Sequence, residues 1–313
     1  MMTRILATDG IEKKAVKKLE DLGFEVVQEF CEQDVLAEKV KGFDVLVVRS
    51  ATKVRCPILD AAAEGGRLKL VIRGGVGMDN IDVEHARAKG ITVANTPNAS
   101  SASVAELAIA HIFSLARHLP LATVSMQEGR WEKKACKGIE IAGKTLGLIG
   151  MGRIGRETAI RASALGMRVL YTNRSGHQPE NDPFVWVNLE ELLAQSDFIS
   201  LHLPAKKDAE PLINRSLIEK MKDGAYLVNT SRGILIDEDD LLDALDSGKL
   251  AGAALDVYQE EPTKNERLYR HPQVSLTPHV GASTKEAQMR VGAETVAHIL
   301  KQFPPEENYR GVS

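Results

Sequence analysis

Residues 145–155 read Thr-Leu-Gly-Leu-Ile-Gly-Met-Gly-Arg-Ile-Gly, and they constrain the fold of this chain more than any other stretch. Thr145–Ile149 has the length and β-branched content of a buried strand. It empties into Gly150-x-Gly152-x-x-Gly155, and the helix-like stretch Arg156–Leu165 follows. A strand, a glycine turn and a helix in that order form the context of a dinucleotide site. Gly150 allows the tight turn, Gly152 lets backbone approach a pyrophosphate, and Gly155 lets the helix pack close to the strand. The helix N-terminus would face the phosphates, with Arg153 and Ile154 among the contacts. A second strand, Met167–Thr172, ends about 20 residues after the first glycine, where a ribose-reading residue belongs. The competing reading, a purely structural glycine turn, explains none of these flanks.

The bulk properties narrow the rest. A length of 313 residues suggests two domains, each able to bury its own core. The net charge of −3 gives no electrostatic case for nucleic acid or an anionic membrane surface. Cys31, Cys56 and Cys136 are scattered without CxxC spacing, which suits free thiols in a reducing cytoplasm. No apolar run reaches about 18 residues, so no membrane span is predicted. Met1–Arg4 runs straight into a strand and does not read as a signal peptide, and no metal-ligand set is expected.

Along residues 4–95 strand and helix alternate: Ile5–Thr8, helix Ile11–Leu22, Phe24–Gln28, a helix through Val35–Val40, Val45–Arg49, a helix opened by Pro57, Leu68–Ile72, helix Asp82–Lys89 and Ile91–Ala94. That alternation predicts a parallel sheet covered on both faces. A breaker cluster at Asn95–Asn98 precedes a long helix through Val104–Leu115, which Pro120 is expected to break or kink. The glycine-rich unit then opens a second α/β array. The apolar face of Ala282–Gln302 makes it a terminal helix that could return to the first array. The expected fold is α/β, with two doubly wound parallel-sheet domains and a cleft between them. Residues 1–96 and 284–313 would form a discontinuous flavodoxin-like substrate domain, and 97–283 a Rossmann dinucleotide-binding domain.

Three polar spots fall at strand ends or loops of the second array. Arg232, in Asn229-Thr-Ser-Arg-Gly233, suits a forked contact to a carboxylate. Glu261 precedes Pro262, which fixes the local backbone. His279, in Pro278-His-Val-Gly281, is the side chain type best suited to exchange a proton near neutral pH. Each alone reads equally as a solvated loop residue; together at neighbouring sheet ends they read as a site.

With these motifs in place, the chain resembles the D-isomer-specific 2-hydroxyacid dehydrogenase family, and within it the phosphoglycerate dehydrogenase branch. The matching stretches are Val48–Val54, Arg73–Asn80, Asn95–Asn98, Gly129–Glu132, Gly150–Gly155, Asn229–Gly233, Ala254–Val257 with Glu261-Pro262, and Pro278–Ala287. The resemblance implies that His279 is the acid/base, that Glu261 hydrogen-bonds it and favours the imidazolium, and that Arg232 orients the substrate carboxylate. It implies that backbone around Gly75, Val76 and Gly77 holds that carboxylate, and that Ser50 joins the substrate contacts. Thr230, Asp256, His279 and Gly281 would join the glycine turn in holding the cofactor. Arg49 and Arg73 match arginines that bind a substrate phosphate in that branch, which favours a phosphorylated 2-hydroxy or 2-oxo acid. The competing reading gives Arg49 an internal ion pair.

The implied reaction is 3-phospho-D-glycerate to 3-phosphohydroxypyruvate, the entry to serine biosynthesis. Glyoxylate/hydroxypyruvate reductase is the alternative, and a dinucleotide-sensing corepressor is the alternative from another class. At the ribose position the family's NAD-type Asp is replaced in Tyr171-Thr-Asn173-Arg174-Ser175. Asn173 removes the repulsion of a 2′-phosphate, and Arg174 with Ser175 offers it a site, so NADP or dual NAD(P) use is expected. The helical stretch 100–135 resembles the family's dimerisation arm and implies a homodimer. The chain stops at Ser313, so the branch's serine-sensing regulatory domain is not expected.

Overall fold

The computed structural model describes residues 2–176, 182–205 and 209–305. It divides into two compact units, Met1–Ser100 with Ala282–Ser313, and Ser101–Gly281. Of the expected 284–313 segment, residues 306–313 lie outside the described residues.

The first unit runs β1 (Arg4–Ala7), α1 (Lys13–Asp21), β2 (Glu25–Gln28), α2 (Gln33–Lys39), β3 (Val45–Val48), α3 (Cys56–Gly65), β4 (Leu70–Arg73), α4 (Val83–Ala88) and β5 (Thr92–Asn95). Among the described residues its strands form one parallel sheet in the order β2-β1-β3-β4-β5. This is the doubly wound 2-1-3-4-5 order. Alternate residues of β3 serve opposite faces, as the two-residue period of a strand requires. Leu46 and Val48 pack with Leu36, Ile58 and Leu59 of α2 and α3. Val45 and Val47 pack with Ala15 and Leu19 of α1. Because both faces are covered, the strand is apolar throughout rather than alternating.

The second unit opens with α5 (Ser101–Ala116) and α6 (Leu119–Gln127). There follow β6 (Thr145–Ile149), α7 (Arg153–Ala164), β7 (Arg168–Thr172), β8 (Val185–Trp186), α8 (Leu189–Gln195) and β9 (Phe198–Leu201). The unit ends with α9 (Arg215–Glu219), β10 (Ala225–Asn229), α10 (Glu238–Asp246), β11 (Leu250–Leu255), α11 (Glu266–Tyr269) and β12 (Val274–Leu276). The sheet order is β12-β11-β10-β9-β6-β7-β8, with every pairing parallel. Read from β6, this is the dinucleotide-binding order 3-2-1-4-5-6 with one strand added, and the chain reverses direction across the sheet between β6 and β9. The last helix, α12 (Lys285–Gln302), belongs to the first unit, where Val296 and Ile299 pack against Ile5, Leu19 and Ile72.

The local differences from sequence expectation have local causes. The helix after the glycine turn begins at Arg153 rather than Arg156, because Gly152 is itself the N-cap and Gly155 lies inside the helix. Pro120 does not break α5. The break is at His118, which takes a left-handed backbone (φ 50), and Pro120 sits in the first turn of α6, where a proline lacks no needed donor. Strand β8 escapes prediction because it has two residues, both exposed at the sheet edge. Among the described residues no single helix is long and apolar enough to cross a membrane.

Candidate active site

The phosphate turn is built as its glycines demand. Gly150 has φ 107, and a side chain there would meet the His202 carbonyl carbon and oxygen at 2.8 and 2.3 Å. A side chain at Gly155 would lie 2.2 Å from the Gly150 carbonyl oxygen, so α7 can approach β6 only with glycine at this position. Gly152 is different. Nothing lies within 4 Å of where its side chain would be, and no side chain caps α7. A helix N-terminus with uncapped amides and open space in front of it suits an anion.

Around this turn three buried polar atoms have no hydrogen-bond partner among the described residues: Asn173 Oδ1 after β7, His202 Nδ1 after β9 and Thr230 Oγ1 after β10. All three follow the carboxyl ends of strands near the β6/β9 reversal, where doubly wound sheets bind ligands. Buried polar groups are ordinarily paired, so each orphan marks a place for a ligand atom. Burial pushes the His202 imidazole down to about 4, and its Nε2 lies 3.0 Å from Ser200 Oγ. His202 therefore faces this crevice as a neutral group. Arg174 and Ser175 are exposed, and among the described residues Arg174 has no ion-pair partner. The residues present fit a dinucleotide.

His279 and Glu261, expected from the sequence to exchange the proton, follow strands at the other end of the same sheet. His279 Nδ1 is 2.7 Å from Glu261 Oε2, with both side chains 40% exposed. Burial raises the Glu261 carboxyl, but the His279 hydrogen bond and charge, the Tyr258 amide and the Arg232 charge outweigh it and hold the group below its ordinary range. Arg232 comes near because Gly233 has no side chain: a Cβ there would sit 1.9 Å from the Tyr258 carbonyl. The turn that carries His279 is fixed by Asp256, which is 1% exposed. Its Oδ1 accepts from Thr277 Oγ1 (2.6 Å) and the Val280 amide (2.8 Å), and its Oδ2 from the Gly281 amide (2.9 Å). His279 itself has φ 52, a conformation that a side-chain-bearing residue holds only when its surroundings impose it.

A model of the D-isomer-specific 2-hydroxyacid dehydrogenase NAD-binding domain matches residues 109–281. The chain is also 49% identical over 307 residues to a hydroxypyruvate reductase from Thermotoga maritima, covering 96% of this chain and 98% of that protein. It belongs to the D-isomer-specific 2-hydroxyacid dehydrogenase family. This is a family of NAD(P)-dependent oxidoreductases acting on 2-hydroxy acids. The dehydrogenase is 45% identical over 311 residues to D-3-phosphoglycerate dehydrogenase of Methanocaldococcus jannaschii, covering 96% of this chain but 58% of that one. A solved NADPH-dependent glyoxylate/hydroxypyruvate reductase from Sinorhizobium meliloti, in complex with NADP and malonate, superposes with a TM-score of 0.84. It is 29% identical, with 97% of this chain and 95% of that one covered.

In the first unit of the dehydrogenase, Arg49 lines a depression of about 530 Å³ with Glu12, Ser283, Thr284, Lys285 and Gln288. Among the described residues no carboxylate pairs with the Arg49 guanidinium; its backbone amide is the group that meets Asp9, at 2.6 Å. Arg73 does not line this depression. Its guanidinium folds over Gly75, where a Cβ would lie 1.5 Å from Nη1. The Gly75 amide and carbonyl are used by Arg73 and Thr96, and the Val76 carbonyl by Asn95. The amides of Val76 and Gly77 donate to no described group, which leaves two adjacent N–H donors for an anion. Ser50 is exposed and directly follows Arg49 after β3.

Sequence reasoning missed His202, Thr277 and Lys285. His202 was findable: it directly follows the strand that adjoins the switch point. Lys285 gave no signal, because a lysine opening a helix is ordinarily solvated. Among the described residues no three His, Cys, Asp or Glu side chains are gathered as metal ligands.

Proposed function

We propose that this dehydrogenase reduces small 2-oxo acids of the hydroxypyruvate and glyoxylate type to the D-2-hydroxy acid. The single observation that carries the reading is the 2.7 Å contact between His279 and Glu261, with Arg232 close enough to lower the same carboxyl. The resemblance over the full length of the hydroxypyruvate reductase supports the substrate class. In this reading Arg232 orients the substrate carboxylate. His279 delivers a proton to the carbonyl oxygen as that oxygen becomes a hydroxyl. Glu261 favours the charged imidazolium beforehand and holds the ring in place. A bound nicotinamide dinucleotide supplies the hydride. Gly150, Gly152, Arg153, Ile154 and Gly155 would hold its pyrophosphate, Asn173, Arg174 and Ser175 its ribose, and Thr230, Asp256 and Gly281 would complete the site. The exposed Arg174 and the missing Asp favour NADPH over NADH.

Phosphohydroxypyruvate is the second reading. It is favoured by the depression that joins Arg49 to Lys285 and by the likeness to the phosphoglycerate dehydrogenases. Steady-state rates with glyoxylate, hydroxypyruvate and phosphohydroxypyruvate, each with NADH and NADPH, decide between them. Preference for hydroxypyruvate with NADPH supports the proposal, and preference for the phosphorylated acid replaces it. No turnover with any pair would revive the dinucleotide-sensing reading. Exposed Leu119, Val124, Met126 and Trp131 in and after α6 support a homodimer, which sedimentation velocity would detect. The three free cysteines suit a cytoplasmic setting.

A further inference from the structure

His111 lies on the buried face of α5 among Ala108, Ile112 and Leu115, and is 3% exposed. A buried imidazole in such surroundings is costly unless both nitrogens are bonded. Its Nε2 lies 3.1 Å from Thr277 Oγ1 and its Nδ1 3.4 Å from Ser275 Oγ, which in turn lies 2.9 Å from Ser114 Oγ. The Asp256 carboxylate only accepts, so the Thr277 hydroxyl donates to it at 2.6 Å. The Thr277 oxygen is then left to accept, and His111 donates to it from Nε2. Nδ1 consequently accepts from the Ser275 hydroxyl. Burial lowers the imidazole's affinity for a proton, partly opposed by the Asp256 charge, and this keeps the neutral tautomer that the chain of bonds needs.

The chain of bonds ends on the turn that carries His279. Asp256 takes one hydroxyl and two amides from residues 277–281, and Tyr258 donates its hydroxyl to the Thr277 carbonyl at 2.8 Å. We propose that His111 is a positioning residue for His279. It fixes the Thr277 hydroxyl toward Asp256, and Asp256 so oriented imposes the left-handed backbone that aims the His279 ring at Glu261. This inference rests on the reductase reading, in which His279 delivers the proton. His111 touches no reacting atom itself.

The test compares His111→Leu, which keeps volume and removes the donor, with His111→Gln, whose amide can donate again. For hydroxypyruvate reduction His111→Leu is expected to lower kcat about tenfold or more, since small misplacements of a catalytic group are costly. The dissociation constant for NADPH, read by fluorescence titration, rises far less than kcat falls, because Asp256 keeps its bonds to the Val280 and Gly281 amides. His111→Gln recovers most of the loss. Thr277→Val reproduces it, and the double variant His111→Leu/Thr277→Val is no worse than either single one, as two links of one chain require. Wild-type kcat in His111→Leu, equal impairment in His111→Gln, or multiplying losses in the double variant would overturn the positioning role. The reductase reading fails separately, and takes this inference with it, if His279→Ala retains full turnover.

Discussion

Replacing Gly152 by alanine separates cofactor binding from folding at the phosphate turn. The backbone of Gly152 (φ −74, ψ −166) is one alanine can adopt, and nothing lies within 4 Å of the added methyl. The substitution should therefore leave stability within about 1 kcal/mol of wild type, with a small gain as plausible as a loss. The methyl instead occupies the space in front of the uncapped amides of α7. A pyrophosphate pushed back from them weakens hydrogen bonds to a charged group, each worth about 1.5–3 kcal/mol. A net loss of about 2–3 kcal/mol corresponds to roughly 30- to 150-fold in Kd for NADPH. Gly155→Ala is the control. Its methyl would lie 2.2 Å from the Gly150 carbonyl oxygen, so backbone must move, at a cost of about 1–3 kcal/mol. The assay pairs fluorescence titration of NADPH with thermal melts of the ligand-free protein. Gly152→Ala is expected to melt like wild type and bind weakly; Gly155→Ala is expected to melt early. Wild-type affinity in Gly152→Ala would refute the placing of the pyrophosphate at this turn.

Arg174→Ala is expected to raise the Michaelis constant for NADPH by about tenfold and leave that for NADH nearly unchanged, reflecting one lost charged contact. Equal changes would mean the arginine does not read the 2′-phosphate. Arg49→Ala should lower kcat/KM for phosphohydroxypyruvate about tenfold more than for glyoxylate, and equal losses would remove Arg49 from phosphate recognition. The native His202, held at about 4, refuses a proton that the unfolded chain accepts near its ordinary 6.5. Its contribution to stability is thus present above that ordinary value and is lost as pH falls from about 6.5 toward about 4. Urea melts at neutral and mildly acidic pH should show a smaller acid loss in His202→Gln than in the wild type; identical losses would mean His202 titrates normally in the fold.

Much of this was legible in the sequence for physical reasons that can be named. Buried strands such as Val45–Val48 and Thr145–Ile149 announce themselves because both faces are covered and the run is almost wholly apolar. The phosphate turn is legible because its three glycines answer to three separate steric demands. The placing of Arg232, Glu261 and His279 was legible only as a set of residues after strand ends, since no local pattern encodes the contact between the Gly233 backbone and Tyr258. The left-handed backbone of His279 was invisible, because the hydrogen bonds that impose it come from Asp256, 23 residues earlier in the chain. His111 was invisible for a related reason: in a helical pattern it is merely a polar interruption of an apolar face. Arg49 and Arg73 looked equivalent as arginines at the ends of adjacent strands. Gly75 makes them different by letting one guanidinium fold back over the turn.

In the proposed reaction His279, held by Glu261, moves the proton as hydride passes to a 2-oxo acid. The most direct measurement is kcat for hydroxypyruvate reduction by NADPH in wild type and His279→Ala, with NADPH affinity measured alongside. In His279→Ala kcat is expected to fall about 10²-fold or more at unchanged NADPH affinity. Wild-type turnover in His279→Ala would contradict it.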